Sequence, residues 1–204
     1  MYKLFSIKHS GGTIVELMLK RSGLPYEVQF FTWDQIRLSK EFGKLNPLRQ
    51  VPALSLPDGT IMTESLAMAL FLNEKARMNL VPETEDLAYP LFLRWSVFLV
   101  ASLYPTFTFG DVPARFVADQ KAQKELRSTT DDFRKKLWLD LENGASNGPW
   151  FLGIQESLID FYLSVMMSWR PGEDWFNEHC PKLSAIRELF RKQPIYLEVM
   201  ENNS

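Results

Sequence analysis

The pattern of hydrophobic and polar positions in this 204-residue chain changes part-way along its length. Up to residue 76, short apolar runs alternate with helical periods; beyond residue 86 the pattern is helical throughout. Tyr2 to Ile7 holds no helix breaker and is rich in aromatic and aliphatic residues, which predicts a short strand. Lys8-His9-Ser10-Gly11-Gly12 predicts a loop whose paired glycines permit unusual backbone angles. Thr13 to Arg21 predicts a helix with Val15, Met18 and Leu19 on one face and Gly23 as its stop. Tyr26 to Phe31 predicts a second strand, so the unit is β-α-β, with parallel strands and a right-handed crossover.

Trp33 to Leu45 reads as a short helix and a loop. Val51 to Leu56 and Thr60 to Met62 flank the turn Pro57-Asp58-Gly59 and predict a hairpin. Ser65 to Ala76 is apolar nearly all round, the mark of a helix buried on several sides. Asn79 to Asp86 reads as a linker. Helices follow over Asp86 to Tyr104, Ala118 to Asn143, Ser157 to Trp169 and Pro181 to Lys192, with breaks at Pro105, Gly110, Gly144 and Asn147-Gly148-Pro149. The expected architecture is an α/β domain over 1–78 joined to an all-α domain over 86–204.

With 46% hydrophobic and 24% charged residues the chain can pack a core, and disorder is not expected. A net charge of -2 leaves no electrostatic footprint for nucleic acid. The single cysteine, Cys180, excludes an internal disulfide and a multi-cysteine zinc site, and fits a reducing compartment. No metal is expected. The first nine residues lack the apolar stretch of a signal peptide, and Trp95 to Leu103 is shorter than the roughly 20 residues of a spanning helix. The expectation is a cytoplasmic protein with no membrane partner.

Two stretches carry a resemblance: Asn46-Pro47-Leu48-Arg49-Gln50-Val51-Pro52-Ala53-Leu54, and Asp58-Gly59-Thr60-Ile61-Met62-Thr63-Glu64-Ser65-Leu66-Ala67. Together they resemble the glutathione-binding segment of the cytosolic glutathione transferases, of a serine-type or related class. The resemblance implies a thioredoxin-like first domain with a mixed four-stranded sheet, glutathione as co-substrate and a homodimer. It implies a cis bond between Val51 and Pro52, which turns the Val51 amide and carbonyl toward an extended peptide, as in strand addition. Ser65 is placed as the N-cap of its helix, where free amides and the helix dipole suit a carboxylate. By resemblance that carboxylate belongs to the γ-glutamyl residue, with Glu64 on its ammonium and Gln50 at the same end. Arg37 stands where relatives put a basic group for the glycine carboxylate, and equally where a plain surface arginine would stand.

A glutathione transferase must supply thiolate, and a hydrogen bond donated to sulfur favours that form. In the family the donor is a Tyr or Ser after the first strand, or a Cys in some classes. Ser10 is the first choice here, with His9 and the amides of Gly11 or Gly12 as alternatives. The absence of a loop cysteine disfavours mixed-disulfide chemistry. Arg49 departs from the glycine often found at its place in the family. In the second half, Ser157 and Asp160 match the family's helix-capping segment, in the manner of a capping box. Tyr104, Phe107, Phe109 and Arg115, with Trp169 as a further candidate, fall where the family builds its electrophile pocket. The rings are equally suited to a core.

Three functions follow. The first is transfer of the thiolate to an electrophilic, apolar substrate in detoxification, with glutathione-dependent peroxide reduction or isomerisation in the same class. The second is a non-catalytic member of the fold acting by protein–protein interaction. The third, a thioredoxin-type oxidoreductase, lacks its cysteine pair.

Overall fold

Tyr2–Ser6 (β1) pairs in parallel with Tyr26–Phe30 (β2), Tyr2 lying opposite Tyr26. On its other edge β1 runs antiparallel to Ala53–Ser55 (β3), and β3 continues into a hairpin with Ile61–Met62 (β4). The order β2-β1-β3-β4 makes a mixed four-stranded sheet. A computed structural model of the protein describes all of residues 1–204.

The first helix, Gly12–Ser22 (α1), ends on Gly23, which is left-handed at φ 66° and closes the helix through its amide to the Lys20 carbonyl. Its burial is wider than the one expected face: every residue from Gly12 to Leu19 is inside. The two glycines before it have a different use from the one expected. Gly11 has an ordinary right-handed conformation (φ -60°, ψ -16°), and the left-handed residue of the loop is His9 at φ 57°. Gly12 is small because α1 crosses β1 closely, and a Cβ there would lie 1.9 Å from the Ser6 hydroxyl oxygen.

Residues 33–45, expected as one helix and a loop, form two short helices, Trp33–Leu38 (α2) and Lys40–Leu45 (α3). Thr32 and Gln35 cap α2 reciprocally, and the Ser39 hydroxyl accepts from the Phe42 amide to start α3. Ile36 and Phe42 turn inward onto Phe5, Ile7 and Ala53, with Val51 packed at the margin of this cluster. Ser65–Ala76 (α4) has the expected bounds and lies against α1.

The helical part opens with Tyr89–Phe98 (α5), runs through a π-turn at Leu99–Leu103 and continues as Tyr104–Asp111 (α6). No break occurs at Pro105 or Gly110. The Tyr104 amide reaches five residues back to the Leu99 carbonyl, and this wider register just ahead of Pro105 accommodates its ring and missing donor. Gly110 serves a close approach instead: a Cβ there would meet the Thr130 hydroxyl at 2.6 Å. The helix over 89–111 is 23 residues long and apolar enough, by length and composition, to cross a membrane. Phe92, Trp95, Leu99, Leu103 and Phe107 are nonetheless buried within the protein, as in a core helix.

A long helix, Gln120–Gly144 (α7), packs on α6. Leu158–Met166 (α8) is buried at all nine positions and forms the centre of this part. The sequence pattern did not reveal Glu173–His179 (α9) or Pro194–Asn202 (α11), which flank Pro181–Arg191 (α10). Both Glu142 carboxylate oxygens accept from the first amides of α10, those of Lys182 and Leu183 at 3.0 Å each.

Contacts group the chain into two units, Met1–Val81 with Phe190–Ser204, and Pro82–Leu189. The carboxy-terminal helix, expected with the helical domain, therefore belongs with the sheet: α11 packs on α1.

Candidate active site

Three segments of the first unit converge on one end of its sheet. The pairing of Phe5 with Ala53, carried two residues on, brings Val51 level with Ile7, and both side chains join the same apolar cluster. The pairing of Leu54 with Met62 directs the chain after β4 to that same end, where α4 begins. The loop Lys8–Gly11, Val51 and the start of α4 are thereby neighbours in the topology, at the carboxyl end of β1.

The backbone of each segment is arranged differently. The Val51–Pro52 peptide is cis, as the resemblance implied. Neither the amide nor the carbonyl of Val51 pairs with other backbone, although Ala53 begins a ladder two residues later. Before it, the Asn46 side chain holds the turn by donating to the Gln50 carbonyl at 2.8 Å, and the half-buried Gln50 side chain makes no bond of its own.

Ser65 is not the N-cap of α4, as expected, but its first helical residue. Glu64 takes the cap position, and its exposed side chain makes no capping bond. The reason is conformational: Glu64 is held at φ 66°, ψ 104°, outside the extended region an N-cap usually adopts. A non-glycine residue at that angle is uncommon, and such residues concentrate at binding sites. The first amides of α4 have no partner within the helix and carry its positive end.

The loop after β1 is tightly ordered. The Ser10 hydroxyl donates to the Ile7 carbonyl at 2.6 Å and accepts from the Gly12 amide at 3.2 Å. Its single proton is thus engaged, while the Gly11 amide, at the start of α1, has no acceptor. The His9 amide donates to the Asn203 side chain at 3.2 Å.

Arg37 lies on the solvent side of α2 and no contact ties its guanidinium to Gln50, Val51 or Ser65. Arg49, noted as a departure from glycine, explains itself on two counts. Its φ is 53°, an angle glycine would adopt freely. Its guanidinium Nη1 donates to the carbonyls of Ile36, Arg37 and Ser39 at 3.0, 3.0 and 2.7 Å, closing the end of α2.

In the second unit the expected pocket residues divide. Tyr104, Phe107 and Trp169 form one edge-to-face aromatic group with centroids 5.1–6.3 Å apart. Burial raises the Tyr104 phenol above its ordinary value. Phe107 and Trp169, with Asp111 and Arg170, line an open depression of about 460 Å³. Phe109 turns away from this group to meet Phe116 at 4.7 Å, and Arg115 is exposed on the short 3-10 turn Pro113–Arg115. Cys180 is fully buried, and burial pushes its thiol up to about 12, so it is an inert packing residue.

The model of the glutathione S-transferase amino-terminal domain matches residues 13–75. Over 205 aligned residues the chain is 38% identical to the uncharacterized GST-like protein YncG of Escherichia coli K12, covering 100% of this chain and 98% of that one. The chain belongs to the glutathione S-transferase family. Glutathione S-transferase GstA of Escherichia coli O157:H7 is 26% identical, with 94% of each chain covered. A glutathione transferase homologue from Sulfitobacter, solved with bound glutathione, superposes with a TM-score of 0.91 at 22% identity, covering 99% of this chain and 98% of that one. A sphingomonad glutathione S-transferase complexed with glutathione gives 0.80 at 21% identity, covering 98% of each. The mixed sheet followed by helices alone is the fold of this family.

Proposed function

We propose that the chain is a glutathione transferase: it binds glutathione at the carboxyl end of β1, stabilises its thiolate and transfers it to an electrophilic, apolar substrate. The observation that carries this reading is the unpaired backbone of Val51, level with the β1 loop and beside the start of α4. An extended tripeptide could complete that backbone as an added strand, its γ-glutamyl carboxylate on the first amides of α4 and its ammonium near Glu64 and Gln50. The relatives solved with glutathione support the same ligand. Arg37 is retained as a surface cation for the glycine carboxylate. Tyr104 and Phe107, joined by Trp169, supply the apolar aromatic surface for the electrophile, whereas Phe109 and Arg115 stand apart from it.

Ser10 is the proposed activating side chain. Its hydroxyl acts by turning from the Ile7 carbonyl to the sulfur, or by holding Gly12 so that the adjacent Gly11 amide faces the sulfur. The thiol proton leaves to solvent, the sulfur forms a bond to carbon, and the substrate's leaving group departs with its electron pair.

Conjugation of a chromogenic nitroaryl halide tests this reading. Wild type should turn over, and Ser10→Ala should lose about tenfold or more in rate while glutathione binding changes little. Turnover unchanged in Ser10→Ala would dismiss Ser10 and keep the enzyme. One observation favours a second reading, a non-catalytic family member acting through protein–protein interaction: the only proton of Ser10 is already engaged. Glutathione binding by wild type without turnover across a panel of electrophiles would favour it.

A further inference from the structure

We propose that Asn203, the next-to-last residue of the chain, positions the loop that activates the thiol, an inference that rests on the glutathione-transferase reading above. Its side chain is completely buried and uses every hydrogen-bonding position it has. Oδ1 accepts from the His9 amide at 3.2 Å and from the Thr13 hydroxyl at 3.1 Å. Nδ2 donates to the Glu16 carboxylate and to the Val199 carbonyl, both at 2.9 Å. The two donors on one side and two acceptors on the other fix the amide in one orientation. No other side chain of this length offers two acceptances and two donations from one planar group.

The bonds to His9 and Thr13 span the loop from its left-handed residue to the first turn of α1. Ser10 and Gly11 lie between them. His9 at φ 57° is in a conformation that a side chain other than glycine's makes unfavourable, and the Asn203 oxygen holds its amide there. Neighbouring residues reinforce the attachment: Asn202 donates to the other Glu16 oxygen at 3.1 Å, and the Lys8 ammonium meets the Ser204 carbonyl. The carboxy-terminal three residues thus bind both flanks of the loop, about 190 positions away in sequence but within the same unit. Asn203 touches no substrate; it acts through the loop.

The test compares wild type, Asn203→Ala and Thr13→Val, with Glu16→Gln as a control that keeps an acceptor for Nδ2. Glutathione affinity is read by calorimetry, the pKa of the bound thiol by the ultraviolet absorbance of its thiolate against pH, and turnover with the nitroaryl halide. Both loop-side variants should raise the thiol pKa and lower kcat about tenfold, because small displacements of a reacting group are costly. Their affinity for glutathione should stay within about threefold, since Val51 and α4 carry the binding. Thr13→Val loses a single hydroxyl and keeps the fold, so the inference stands or falls even if Asn203→Ala unfolds. A wild-type thiol pKa and kcat in Thr13→Val, or losses matched by Glu16→Gln, overturn the positioning role alone. Failure of wild type to bind glutathione overturns the function reading, and this inference with it.

Discussion

Arg134→Ala should destabilise the helical unit by about 4 kcal/mol, the largest effect expected of any single substitution. Arg134 is fully buried in the middle of α7. Its Nε donates to the Thr106 hydroxyl at 2.9 Å, its Nη2 to the Thr106 carbonyl at 2.8 Å and its Nη1 to Asp131 at 2.7 Å. The guanidinium also lies 3.9 Å from the centre of the Phe107 ring. Removing it opens a cavity the size of a large side chain and takes one donor from each of the buried hydroxyl and carbonyl oxygens of Thr106. Asp131 suffers less, because it is partly exposed and keeps Arg170 at 3.0 Å. Arg134→Lys should fall between, since an ammonium cannot reproduce the planar fork. Urea denaturation followed by tryptophan fluorescence measures both; a loss below about 1 kcal/mol for Arg134→Ala would contradict the account.

The second large effect is at Asp160, which ties the turn before α8 to its first turn. Its two oxygens accept from the Phe151 amide at 2.9 Å, the Ser157 amide at 2.8 Å and the Ser157 hydroxyl at 3.0 Å. Asp160→Ala should cost about 3 kcal/mol by leaving these buried donors unpaired. Burial outweighs the three donors and raises the carboxyl from an ordinary 3.8 to about 7. A carboxyl so raised takes up a proton on folding between those two values. The stability it contributes is complete below about pH 4 and is lost as pH rises through about 7. Wild type should therefore lose stability relative to Asp160→Asn across that interval. Glu16, also raised by burial, adds a slope of the same sign in both proteins, and the difference isolates Asp160. Parallel pH profiles for the two proteins would contradict the assignment.

What the sequence makes legible is what neighbouring residues decide. Gly23 stops α1, Asp58-Gly59 turns the β3–β4 hairpin, and the Ser157–Asp160 spacing makes a cap, each within a few residues of its partner. The segment around Val51 and the start of α4 belong to the same kind: continuous stretches whose pattern survives without knowledge of the rest. Features made by distant contact were hidden. Gly12 reads in sequence as a glycine permitting unusual backbone angles, yet it is small because Ser6 lies against it. Gly110 reads as a break, yet it admits α7. The pairing of Trp169 with Tyr104 and Phe107, and the separation of Phe109 from them, depend on how α6 packs against the turn that follows α8, far along the chain. Asn203 gives no local signal at all, because its four partners come from α1, its preceding loop and its own helix.

An amide-resolved NMR titration with glutathione addresses the central claim, that unpaired backbone at Val51 and the opening turn of α4 together hold the tripeptide. The account predicts saturable shifts of the Val51, Ser65 and Leu66 amides at ligand concentrations below about 1 mM, and none with cysteinylglycine, which lacks the γ-glutamyl group. Glutathione raised to about 10 mM with those three amides unmoved would contradict it.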